Sequence, residues 1–231
     1  MLYSTSDLFD LGQTEHGDVF VGTEFPWDAI GRIATHVAGR LRPAQLHRGI
    51  GTSYISGNVF IGEGTVVEHG AMIVGPAIIG RNCRIGHNAH VRENALIGDH
   101  CTVGTGCEVK NCLLFNGVEL PHFNFVGDSI LGHRAHLGAG AVVANLKLSR
   151  DNVWIEMDGR CIDTGLRKLG ALVGDGAEVG CNAVLNPGTI LGKGSRVYPG
   201  LSWRGILPSN MIAKHRPGQE VVVSRPRGPK I

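Results

Sequence analysis

The chain has 231 residues, 42% of them hydrophobic and 6% aromatic, with a formal net charge of +2. That is enough apolar material for a buried core but too little charge for a general attraction to nucleic acid, and no apolar run approaches the roughly 18 residues that span a membrane. Glycine, at 35 residues, is well above its usual share, so the backbone must turn tightly and often around small aliphatic side chains.

The N-terminal MLYSTSDLFD has no basic segment leading into an apolar one, so no secretory leader is expected and a cytoplasmic location is the default. Residues 26–41 set Trp27, Ile30, Ala34, Val37 and Leu41 at helical spacing, with Pro26 suited to a first turn. This predicts a helix, within a short helical cap over residues 1–54, that covers the open first coil of a repeat beginning at Ile55.

From Ile55 a branched aliphatic recurs every sixth residue: Ile61, Val67, Ile73, Ile79, Ile85, Val91, Ile97, Val103 and Val109. Four positions after most of these stands a small residue, Ala71, Ala77, Cys83, Ala89, Ala95, Cys101 and Cys107 among them, with Leu113 closing the series. Side chains two apart share one face of a strand, so the small residue and the next aliphatic both point inward, and a nearby glycine permits a corner. The pattern predicts an all-β parallel β-helix. It resembles the left-handed hexapeptide-repeat β-helix, which sets three hexads, or 18 residues, in each triangular coil.

After residue 114 the beat breaks, and it resumes at Phe125, Leu131, Leu137 and Val143, then again at Val173, Val179, Leu185, Leu191 and Val197. Two loops, 115–124 and 145–170, are therefore expected to leave a prism that spans 55–202. The second contains NVWIEMDGRCID, alternating apolar residues around an Asp-Gly turn signal, which predicts a hairpin able to lie over a neighbouring chain. Residues 203–231 lack apolar periodicity and read as an extended tail.

Six cysteines without a CxxC pair argue against zinc sites; Cys83, Cys101 and Cys107 read as reduced filler, and no metal is expected. The position after the aliphatic is usually glycine but becomes Arg92 and Lys110, one coil apart. Two like charges stacked about 5 Å apart repel by ~3 kcal/mol at an effective dielectric near 20, so an anion such as a phosphate is their natural partner. His122 lies in the first break, flanked by Pro121, Phe123 and Phe125, a partly apolar setting for a neutral imidazole acting as general base. His16, His36 and His47 read as surface residues.

Across VKNCLLFNGVELPHFNFVGDSILGHRAHLGAGAVVANLK (109–147) and LRKLGALVGDGAEVGCNAVLNPGTILGKGS (166–195) the chain resembles the acetyltransferase half of the bifunctional enzymes of UDP-N-acetylglucosamine synthesis, especially the archaeal sugar-1-phosphate nucleotidylyltransferase/acetyltransferases. The resemblance covers about residues 85–217. It implies transfer of an acetyl group from acetyl-CoA to a glucosamine-1-phosphate-like amino-sugar phosphate, by a homotrimer whose grooves hold coenzyme A. Carried over residue by residue, the base falls on His122, sugar-phosphate contacts on Arg92, Lys110, Phe125, His136 and Asn145, and acetyl-CoA contacts on Ala139, Cys181, Pro199 and Arg216. The family's second-loop lysine falls on Lys147 or Lys168. Two positions depart from the family, Phe125 where many members carry tyrosine and His136 where they carry asparagine. Only 54 residues precede the repeat, so a nucleotidyltransferase would have to be a separate partner. Other readings of the same repeat are an acyl-carrier-protein-dependent acyltransferase of the lipid A type, a non-catalytic scaffold, and a hexapeptide-repeat carbonic anhydrase.

Overall fold

The period-six aliphatics close a parallel β-solenoid, seen in a computed structural model that describes residues 3–215. Arg216 lies outside these residues. Each coil crosses three walls. Wall one runs from the strand Arg48–Gly49 through Thr102–Thr105 and Glu119–His122 to Ile212–Ala213. Wall two begins at Tyr54–Ser56 and wall three at Ala44–Gln45, and the strands Glu108–Leu114 and Phe125–Leu131 each turn the corner from wall two into wall three. Parallel pairing of this kind runs from residue 44 to residue 213, so the solenoid is longer than the expected 55–202 at both ends. Trp203, expected in the tail, pairs with Leu185 and packs on the core.

Inside the prism Ile61, Val67, Ile73, Ile79, Ile85, Val91, Ile97, Val103 and Val109 are all buried, with Cys83, Cys101, Cys107 and Cys112 at the small inward position. The thiols of Cys83, Cys101 and Cys107 donate to the carbonyls of Gly98, Phe115 and Leu120 at 3.0, 3.1 and 3.2 Å. Burial, with the Asp128 carboxylate nearby, pushes the Cys112 thiol up to about 12, as expected for inert filler.

The first break in the beat is not a loop. Val67 lies opposite Ile85 and Ile85 opposite Val103, a step of eighteen, but Val103 lies opposite Leu120 and Leu114 opposite Leu131, a step of seventeen. The missing residue is lost at the corner between walls two and three. Arg92, Glu93 and Asn94 turn that corner in one coil, whereas the next two coils use only Lys110–Asn111 and Gly127–Asp128. Asn111 (φ 41°) and Asp128 (φ 50°) are left-handed, as Asn94 (φ 60°) is in the longer corner, so the left-handed residue is kept and one residue before it is dropped. The inward series is therefore Leu114, Leu120, Val126 and Leu131; Phe125 faces outward, and Leu113 turns to the outside of wall three. Residues 119–122 are a wall strand.

Wall three is apolar on both faces. Its outward Ile78, Leu96, Leu113, Ile130, Leu172 and Ile190 join Leu8, Phe9, Phe20, Trp27, Ile30, Ile33 and Val37 from the N-terminal segment in a second core. Residues 26–40 fold as a 3-10 helix (Pro26–Arg32) leading into an α-helix (Ile33–Arg40). They cover this wall rather than the first coil, with Ile33 rather than Ala34 buried. The second break does leave the prism. Its hairpin, Trp154–Met157 and Arg160–Asp163, turns at Asp158 and Gly159, both at positive φ as a type I′ turn requires. Val153, Ile155 and Met157 bury against the same second core, so the hairpin covers its own wall three. His16 is buried as well, 7% exposed, its Nδ1 3.1 Å from Nε2 of His36. No helix among the described residues is long and apolar enough to cross a membrane.

Candidate active site

Registry builds the site. At the corner between walls one and two, Thr105 lies opposite His122. The His122 carbonyl accepts from Gly140 N–H at 2.9 Å, that of Ala139 from Asn182 N–H at 2.9 Å and that of Cys181 from Gly200 N–H at 2.8 Å. Continuing the pairings Glu119 with His136, His136 with Glu178 and Glu178 with Arg196 along the strands sets His122, Ala139, Cys181 and Pro199 in one ladder. Its rungs are roughly 4.8 Å apart. Four residues spread over 78 positions of sequence thus form a single vertical line. A cavity of about 290 Å³ opens beside its lower half, lined by Gly138, Cys181, Tyr198 and Pro199.

The residue after each of these turns the corner in the left-handed region. Gly70, Asn88, Gly106, Gly140, Asn182 and Gly200 occupy that position in the other coils, and beside His122 it is Phe123 (φ 51°), 65% exposed. The ring of Phe123 lies over Gly106, where an added Cβ would come within 2.7 Å of it. Asn124, 2% exposed, pins the turn by donating from Nδ2 to the Gly138 carbonyl at 2.8 Å and to that of Ala141 at 3.2 Å. The His122 side chain is exposed and makes no hydrogen bond among the described residues. In the Gly138–Gly140 turn, the amides of Gly138 and Gly140 are used in bonds between coils and that of Ala141 closes on the Gly138 carbonyl. The Ala139 N–H is left without a partner among the described residues.

Wall two lies between this corner and the next. Arg92 and Lys110 stand in register there, since Val91 pairs with Val109 and Arg92 N–H donates to the Val109 carbonyl. Each already has an acidic partner, which the sequence reading missed. Arg92 bonds Glu108 at 2.8 Å and Glu93 at 3.2 Å, and Lys110 Nζ lies 3.6 Å from Asp128 Oδ2. Asp128 also accepts from Asn111 Nδ2 at 2.8 Å and from Asn145 Nδ2. Two cations thus meet three carboxylates, so the stacked charges are satisfied within the chain. Phe125 and Lys110 close over Gly127 with Asn145, and a Cβ there would stand 2.9 to 3.2 Å from all three. Lys110, Phe125 and Asn145 are therefore one cluster. His136 is not part of it: it stands on wall one and bonds Glu119 at 3.0 Å. Lys147 bonds Asp151 at 2.9 Å.

A family model described as the GMPPB C-terminal domain matches residues 73–222, well over half of the chain and all of this site. The chain belongs to the GMPPB C-terminal domain family. Bifunctional proteins are among its relatives: a GlmU protein of Methanococcus maripaludis is 33% identical over 179 residues, 74% of this chain and 41% of that protein. A bifunctional sugar-1-phosphate nucleotidylyltransferase/acetyltransferase of Sulfurisphaera tokodaii is 38% identical over 93 residues, 40% of this chain and 23% of its own length. The GMPPB C-terminal-type chain thus spans less than half of either bifunctional relative. An uncharacterised acetyltransferase, YaiX, of Escherichia coli is 35% identical over 154 residues, 67% of each chain. Repeat, solenoid and relatives together fit a hexapeptide-repeat acetyltransferase domain.

Proposed function

We propose that this chain transfers the acetyl group of acetyl-CoA to the amine of an amino-sugar 1-phosphate of the glucosamine-1-phosphate kind. The observation that carries the reading is the corner ladder, which aligns a free imidazole with Ala139, Cys181 and Pro199, three of the four positions assigned to coenzyme A by resemblance. His122 takes a proton from the amine as its nitrogen attacks the thioester carbonyl. The free N–H of Ala139 holds the developing oxyanion, and collapse expels coenzyme A as its thiolate. Lys110, Phe125 and Asn145 receive the sugar, and Arg92 can reach a phosphate only by sharing its guanidinium with Glu93 and Glu108. Wall three is already covered by the chain's own N-terminal segment and hairpin, so walls one and two are the faces offered to a cytoplasmic homotrimer.

The test is release of coenzyme A thiol from acetyl-CoA against a panel of amino-sugar 1-phosphates and nucleotide amino-sugars. Transfer to at least one member is expected, and His122→Ala should lower it by about 10²- to 10⁴-fold with an unchanged melting temperature. Absence of transfer to every member would refute the reading; unchanged turnover in the variant would remove the histidine from the mechanism.

A further inference from the structure

Asp128 is 6% exposed, yet no feature of the repeat demands a carboxylate there; other coils turn this corner with asparagine, glycine or, at Pro76, proline. It gathers groups from the two neighbouring coils. Asn111 Nδ2 donates to its Oδ1 at 2.8 Å, while Asn145 Nδ2 and Lys110 Nζ converge on its Oδ2. An ionised carboxylate can only accept. It therefore fixes what an amide would otherwise leave open, since the Asn145 nitrogen must face Asp128 and the Asn145 carbonyl oxygen must face away. That oxygen has no hydrogen-bond partner among the described residues, while the Asn145 nitrogen adjoins Lys110 and Phe125 above Gly127.

We infer that Asp128 is a positioning residue, which locks Asn145 with its carbonyl oxygen outward as the acceptor for an N–H or O–H of the sugar and holds Lys110 beside it as donor. This rests on the acetyl-transfer reading for its kinetic consequence, but the geometry stands apart from it. With asparagine at 128, the Asn111 amide is still accepted by Oδ1, and the new amide nitrogen needs an acceptor. Asn145 supplies one by rotating its side chain, which turns its own NH₂ outward. The hydrogen bonds to Asn111 and Asn145 are kept, the Lys110 ion pair is lost, and the polarity offered to the acceptor is reversed.

The experiment compares the full-length wild type, Asp128→Asn and the double variant Asp128→Asn/Asn145→Asp, with glucosamine 1-phosphate as the probe acceptor or whichever panel member the wild type uses best. Side-chain amide resonances are recorded alongside kinetics. The Asn145 NH₂ should exchange slowly with water in the wild type and rapidly in Asp128→Asn. The single variant should lose about 10- to 100-fold in kcat/KM at a melting temperature within a few degrees of wild type. The double variant, which again presents only acceptor oxygens outward, should recover most of the loss. Asn145 amide exchange that is the same in wild type and Asp128→Asn overturns the inference whether or not acetyl transfer is observed. Kinetics unchanged in Asp128→Asn, or a loss accompanied by a collapse in melting temperature that the double variant repairs without restoring turnover, overturns it too. Lack of transfer by the wild type refutes the functional reading instead, and the exchange comparison then decides this one alone.

Discussion

Phe123 shows what a single residue can reveal. Six other coils fill the same left-handed corner with glycine or asparagine, the residues that reach that region most easily. A phenylalanine there costs about 1 kcal/mol of strain, and its mostly exposed ring recovers little of that by burial. Strain of this kind concentrates at functional sites, and here it sits directly after His122, the proposed base. Phe123→Asn should therefore raise the melting temperature by about 2–4 °C, read by calorimetry. A melting temperature that falls instead would mean that the ring's contact with Gly106 outweighs the strain. None of this was legible from periodicity, which treated the stretch as a loop. Arg92 and Lys110, in contrast, were legible because eighteen-residue registry needs only counting. Their acidic partners were missed because Glu93 is a sequence neighbour, Glu108 comes from the next coil, and Asp128 appears only once the coil has shortened to seventeen.

Among the elements, the N-terminal segment is the one whose placement differed most from expectation. Its apolar spacing was readable, and so was a cue that went unused: wall three reads AII, ALI, CLL, SIL, ALV and TIL, apolar without alternation, the mark of a strand buried on both faces. Something had to cover it. At the edge of that cover, His16 packs against His36 near Arg40, Asp18 and Asp99. Burial first, then the His36 and Arg40 charges, lower His16 from the usual 6.5 to about 4, against a weaker opposing pull from Asp18 and Asp99. A folded pKa below the unfolded one means that folding favours the neutral ring. The contribution is then complete above about pH 6.5 and is lost as pH falls toward 4, by ~3 kcal/mol. Hydrogen exchange between pH 7 and 4.5 should show residues 8–37 losing protection well before wall one, and His16→Phe should abolish the difference. Equal loss along the whole chain would contradict this.

For the whole molecule, the decisive fact is that a solenoid converts sequence period into vertical adjacency. The repeat, the hairpin at Asp158–Gly159 and the inward cysteines were all legible because each is a local rule repeated or a turn with fixed chemistry. The length of the prism was less so, since the first and last coils carry short strands with few aliphatics. The shortened corner was not legible at all, because losing one residue looks the same in a sequence as ejecting a loop. Registry nonetheless assembles one ladder that joins His122 to Cys181 and Pro199. Cys181 is an exposed thiol on that ladder, and Cys161 is an exposed thiol on the hairpin away from it. Alkylation of the two, followed by mass spectrometry with and without coenzyme A, therefore tests the site directly. At a coenzyme A concentration of about ten times its Kd, Cys181 should react about tenfold more slowly while Cys161 is unaffected. Equal reactivity of Cys181 with and without saturating coenzyme A would contradict the account.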